Sequence, residues 1–164
     1  AEVCLAAKLA ASEGNADTTH LSEPTVYLEK ATGKALEVLS RNNEQGFFLM
    51  IESAIIGGCG HNSDSDGVID EMKVFDCTLK QLVAYVNQHP ETLLVVTADH
   101  ETGGTGVTYN SFEVGNPTPL KLSFSTKGHT GTVVPIFAYG AGAEAFAGIM
   151  KNTDLPKKIE ELMK

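Results

Sequence analysis

Apolar positions recur along this 164-residue chain in blocks whose period changes from stretch to stretch. Residues 1–13 read as a short alanine-rich helix, with Val3, Leu5, Leu9 and Ala10 loosely periodic, and residues 14–22 as a polar loop. A helix is expected next, with Ser22 as N-cap, Pro24 in the first turn, and Leu28, Ala31, Ala35 and Val38/Leu39 on one face. It ends near Asn42-Asn43. Phe47 to Ile51 is an unbroken apolar run, a buried strand that stops at Glu52. Residues 57–67, rich in glycine, serine and aspartate, read as loop. Val68, Met72, Phe75, Leu79, Leu82 and Val86 then recur every three or four residues, the spacing of an amphipathic helix that Pro90 stops. Leu93–Thr97 follows as a second buried strand. The default for such a strand–helix–strand unit is a right-handed crossover with parallel strands.

Leu120–Ser125 and Val133–Tyr139 are shorter strand candidates, and Pro117 and Pro119 break the chain before the first. Lys127 to Gly131 reads as a tight polar turn between them. A small helix is expected at Ala143–Met150. A terminal helix from about Thr153 to Met163 would carry Asp154 and Pro156 in its first turn and bury Leu155, Ile159 and Leu162. The pattern is α/β, in one domain of ordinary size.

The most informative segment is Leu93 to Gly104, where a β-branched apolar run ends in adjacent Asp99 and His100 before two glycines. Open α/β sheets place their sites at the carboxyl ends of strands. A carboxylate beside an imidazole suits Zn²⁺ or a similar borderline cation. The same residues would also serve a strand ending at an N-cap aspartate with an incidental histidine. Glu52 ends the partner strand of the same unit, and His61 and His129 lie beside glycines at expected turns. Glu52, His61, Asp99, His100 and His129 are therefore the candidate metal ligands, whereas His20 and His89 read as surface residues.

Composition narrows the partners. The net charge of −9 disfavours nucleic acid and anionic membranes, but not an anionic substrate, since bound metal can reverse the local sign. No apolar run approaches the length of a membrane span. Cys4, Cys59 and Cys77 are odd in number and widely spaced, so they read as free thiols or small buried side chains. The chain opens at Ala1 without a hydrophobic leader, the start expected of a processed chain or of a piece of a longer one.

The stretches GFFLMIE, GH at residues 60–61, VVTADHETGG, GHTGTVVPIFAYGAGAEAFAG and NTDLPKKI, in that order and spacing, resemble the C-terminal part of the alkaline phosphatases. The resemblance runs from about residue 22 to the end and leaves residues 1–21 unassigned. It implies a partial αβα sandwich, with a mainly parallel sheet and flanking helices, forming one incomplete domain over residues 1–164. It also implies phosphate monoester or inorganic phosphate as ligand, two Zn²⁺ and one Mg²⁺ as cofactors, and a periplasmic or extracellular setting. By position, Glu52 resembles the magnesium ligand, and Asp99 and His100 ligands of the zinc that activates a serine nucleophile. His61 and His129 resemble ligands of the other zinc, which binds the leaving group and then water.

Two departures qualify this. The family pattern Glu-x4-Asp-x3-His stands here as Glu52-x4-Gly57-x3-His61, so the zinc of His61 and His129 loses a ligand and is expected to be weak or empty. Asp64 and Asp66 lie downstream in the expected loop, but nothing in their spacing argues for either as a substitute. No serine occurs in the family's nucleophile context: Ser53 reads as part of a turn, and the lone arginine, Arg41, sits in a context unlike the family's phosphate-binding arginine. No catalytic residue is assigned. The expectation is the C-terminal portion of a metal-dependent phosphatase, inactive alone, that self-associates or joins its missing N-terminal part. The alternative is a non-catalytic metal- or phosphate-binding relative. A phosphodiesterase or sulfatase of the wider superfamily fits the glycine-rich turn and GHTG less well.

Overall fold

The computed structural model describes residues 7–10, 27–41, 43–108 and 120–163. The expected loop at residues 14–22, the Ser22–Pro24 helix start, Asn42, Pro117 and Pro119 lie outside the described residues, as does Cys4. In order, the elements are β1 (Ala7–Ala10), α1 (Tyr27–Ser40), β2 (Leu49–Glu52), α2 (Ala54–Asn62), α3 (Ser65–Gln88) and β3 (Leu93–Thr97). They continue with β4 (Glu101–Thr102), β5 (Gly106–Thr108), β6 (Lys121–Ser123), β7 (His129–Thr130), β8 (Ile136–Gly140) and α4 (Leu155–Leu162). The segment expected as an alanine-rich helix instead contains β1, laddered parallel to β2 with Ala7 opposite Leu49. Pairing with an existing strand outweighs a weak local helix preference.

The other three ladders are antiparallel: β3 with β8, β4 with β7, and β5 with β6. Among the described residues, then, the parallel character expected of the sheet belongs to β1–β2 alone. β2 and β3 do not pair with each other. They belong to different two-stranded sheets, so the parallel strand–helix–strand pairing expected of them is not among the ladders of the described residues.

Helix α3 packs against α1 on one side and against β3 and β8 on the other. That double contact explains why its buried residues are Val74, Thr78 and Val86, whereas Met72, expected inside, is exposed. Likewise α1 buries Leu28, Thr32, Leu36 and Leu39, and leaves Val38 outside. The two helices approach closely where Gly33 meets Gln81: a Cβ on Gly33 would stand 2.5 Å from Gln81 Nε2. Thr32 and Thr78 are fully buried.

Residues 57–67, expected as loop, are mostly helical. Despite three glycines, α2 forms because Cys59 and Gly60 are buried and the helix packs on α3 and β4. Gly60 is needed for that packing, since a Cβ there would come within 3.2 Å of Thr102. Ser63 ends α2 in the left-handed conformation, its N–H bonded to the Cys59 and Gly60 carbonyls. Asp64 then caps α3 by accepting from the Gly67 N–H at 3.0 Å.

Toward the C-terminus, β8 starts only after Pro135, which can give no ladder bond, and Val133 is left exposed. The helix expected at Ala143–Met150 is a 3₁₀ turn, Ala143–Phe146, with Phe146 buried. A second 3₁₀ turn, Asn152–Asp154, precedes α4. Leu155 and Ile159 of α4 are half-buried, whereas Leu162 is exposed although it lies against Gly142.

Candidate metal centre

Two crossings of the chain bring the histidines together. Past β3 the chain turns through Asp99 and His100 into β4, and β4 ladders with β7, which begins at His129. Thr102 stands opposite His129, so the residue after next from His100 is the cross-strand partner of His129. The His100 and His129 rings stack at 3.6 Å between centroids. Helix α2, held against β4 through Gly60, presents His61 from its last turn. His61 Nε2 lies 3.2 Å from His129 Nε2. Lys127 to Gly131 is thus not wholly a turn, because His129 and Thr130 are strand residues.

The geometry of each pair bears on metal binding. Two ligands about 2.05 Å from a tetrahedral ion stand about 3.3 Å apart. His61 and His129 meet that spacing. The Lys127 carbonyl lies 2.6 Å from His61 Nδ1. A carbonyl can only accept, so the ring proton sits on Nδ1 and the Nε2 lone pair is left toward His129, the usual arrangement behind a metal-bound imidazole. Asp99 and His100 form a second such pair, with Oδ2 3.1 Å from Nε2. Asp99 Oδ1 also accepts from the His100 backbone N–H at 3.1 Å. These donors suit zinc as two two-ligand halves.

A complete site is not assembled from them. Among the described residues no three His, Cys, Asp or Glu side chains converge on one metal position. The spacing missing beside His61 is that of Gly57, one helical turn earlier on the same face of α2. Asp64 does not replace it, being engaged as the α3 cap, and Asp66 is exposed in the first turn of α3. Glu52 is exposed at the end of β2 and makes no hydrogen bond or ion pair with these residues among those described. Ser53 precedes α2 at its N-cap position without a capping bond. Arg41 is exposed and paired with Glu37.

Three participants were not legible in the sequence. Glu101 accepts from the Thr105 N–H at 2.7 Å, from the Gly104 N–H at 3.1 Å and from the Thr130 hydroxyl. The Thr105 N–H, then the Thr130 hydroxyl, hold its carboxyl below the usual carboxylate range. The Lys127 contribution is a main-chain carbonyl, which no side-chain pattern reports. Gly103 has φ +89° and donates to the Gly128 carbonyl at 2.8 Å, tying the segments of His100 and His129 together.

The sequence profile of the alkaline phosphatases matches residues 12–123. The chain belongs to the alkaline phosphatase family. It is similar to alkaline phosphatase H of Pseudomonas aeruginosa, 34% identical over 78% of this chain and 29% of that protein. It is also similar to the alkaline phosphatase of Escherichia coli, 32% identical over 82% of this chain and 31% of that protein. A wider match, to alkaline phosphatase 4 of Bacillus subtilis, is 26% identical over 95% of this chain and 48% of that protein. Its fold is like that of the alkaline phosphatase from the Antarctic bacterium TAB5, with TM-score 0.77 and 35% identity over 85% of this chain and 41% of that one. A TAB5 variant, His 135 Glu, is a structure with Mg bound in its M3 site. The chain therefore spans about half or less of the length of the relatives it matches.

Proposed function

We propose that this chain supplies the histidine-bearing metal-binding portion of an alkaline phosphatase, an enzyme that hydrolyses phosphate monoesters. The observation that carries the reading is the 3.2 Å approach of the His61 and His129 Nε2 atoms, with His61 oriented by the Lys127 carbonyl. His61 and His129 would hold one zinc, Asp99 and His100 would contribute to a second, and Glu52 would serve magnesium. When bound, zinc supplies Lewis acidity and makes a bound water acidic enough to act as hydroxide near neutral pH. The chain's own residues orient and fix donors: Lys127 sets the tautomer of His61, and Asp99 Oδ1 holds the His100 backbone.

No serine or arginine of these 164 residues stands in the family's nucleophile or phosphate-binding context. The 164-residue polypeptide alone is accordingly assigned negligible turnover, and its partner is further alkaline phosphatase polypeptide or a second copy. Among the described residues no helix is long and apolar enough to cross a membrane. We assign a periplasmic or extracellular setting from the family resemblance. The test is zinc titration by calorimetry alongside p-nitrophenyl phosphate hydrolysis. Zinc binding that is lost on replacing His61 or His129 with alanine supports the reading. Chelator-sensitive turnover by the purified chain would overturn the inactivity.

Gly57 favours a second reading, a non-catalytic relative with a degenerate zinc site, because a missing ligand is a property of the sequence itself. Metal analysis of the full-length gene product separates the two. Two zincs per chain with good activity reject the degenerate reading, and one or none supports it.

A further inference from the structure

We infer that Glu101 is the positioning residue that holds His129 on the face of β7 where His61 and His100 meet it. The inference rests on the metal-binding reading above for its significance, but on the geometry of β4 and β7 for its substance. That ladder has two residue pairs, Glu101 with Thr130 and Thr102 with His129. So short a ladder specifies its register weakly. Side chains alternate along a strand, so a slip of one residue would carry His129 to the opposite face, away from both other histidines.

Glu101 opposes that slip with both carboxylate oxygens. Oε1 accepts from the Thr105 N–H at 2.7 Å. Oε2 accepts from the Gly104 N–H at 3.1 Å and from the hydroxyl of Thr130. Thr130 is the chain neighbour of His129, and its hydroxyl can meet Glu101 in this way only when the two residues stand opposite each other. The other oxygen fastens the same side chain to the loop that leaves β4. One side chain therefore links the strand following His100 to the strand containing His129. The Gly103 N–H to Gly128 carbonyl bond, 2.8 Å, closes the other end of the same ladder. The histidine rings are exposed or half-exposed, so burial does not hold them in place.

The test uses the full chain in three variants, Glu101→Ala, Glu101→Gln and Thr130→Val. It reads nuclear Overhauser contacts between the His61 and His129 rings without metal, and Zn²⁺ affinity by calorimetry. Glu101→Ala should lose the ring contact and at least tenfold in affinity. Glu101→Gln, with one oxygen left to accept, should fall between it and the parent. Thr130→Val removes the cross-strand link, together with the hydroxyl contact to Thr132, and leaves the Glu101–Thr105 bond, so it should lose the ring contact while the Thr105 amide stays protected from exchange. If Glu101→Ala unfolds, Thr130→Val decides the matter. An unchanged ring contact in the folded variants, with affinity within threefold, overturns the inference. If the parent chain binds no zinc but the variants still lose the ring contact, the metal reading fails and the positioning role stands.

Discussion

If His61 and His129 hold zinc as proposed, replacing Gly57 with aspartate should supply a third ligand. A Cβ at position 57 meets nothing within 4 Å, and Gly57 has no positive φ, so the side chain enters open space without strain. Position 57 is the fourth residue of α2, past the first turn where the helix N-terminus favours a carboxylate. An aspartate there gains a few tenths, on the order of 0.3 kcal/mol, in helix preference over glycine. The metal-free protein should therefore be nearly unchanged in stability. A residue four positions before His61 lies on the same face of the helix, which directs the carboxylate toward the His61–His129 pair.

Changes in groups behind a ligand alone alter metal affinity about 10–100-fold. A carboxylate that itself coordinates should reach at least the top of that range, about 2.7 kcal/mol. With zinc in excess that free energy adds to folding stability. For a chain of this size it raises the melting temperature by roughly 5–11 °C. Thermal melts of parent and Gly57→Asp, each with zinc and with chelator, measure it directly. A folded variant whose zinc-dependent shift equals the parent's would refute the argument. It would show that His61 and His129 are not two ligands awaiting a third.

Two further outcomes follow from backbone and burial. Gly103→Ala would place a Cβ 2.8 Å from Phe124 and 2.9 Å from the Gly60 carbonyl at φ +89°, so urea denaturation should show a loss of about 2–3 kcal/mol. Cys59 is buried beside Asp64 and Glu71, and desolvation first, then those charges, push its thiol up from 9.0 to about 11. Its native state keeps a proton that the unfolded chain releases, so its share of stability is full below pH 9 and declines as pH rises toward 11. Melts across that window should fall less steeply for Cys59→Ala, and thiol reagents at pH 8 should modify exposed Cys77 well before Cys59.

The long elements were legible in the sequence because their signals are local. Leu93–Thr97 is a strand at the residues its apolar run marks. The periodic helix ends at Gln88, just before His89 and Pro90. The glycine-rich stretch misled because glycine's weak helix preference is overridden where α2 packs on α3 and β4, and Gly60 is there to let it approach. The α3 face was partly misassigned because a single periodicity cannot anticipate a helix buried on two sides.

Residue types and spacing by themselves pointed to the family, marked five candidate ligands and put Gly57 where the family pattern has aspartate, since chemistry-bearing residues beside strand ends are written in order along the chain. Tertiary structure alone decided which of the five meet. It joined His61, His100 and His129 across 68 residues, and set Asp99 against His100. Glu52 it left apart, among the described residues. The reason is that a ligand cluster depends on strand register and helix approach, and here both rest on contacts between distant segments: a glycine against Thr102, a carbonyl on His61, and one carboxylate spanning two short strands.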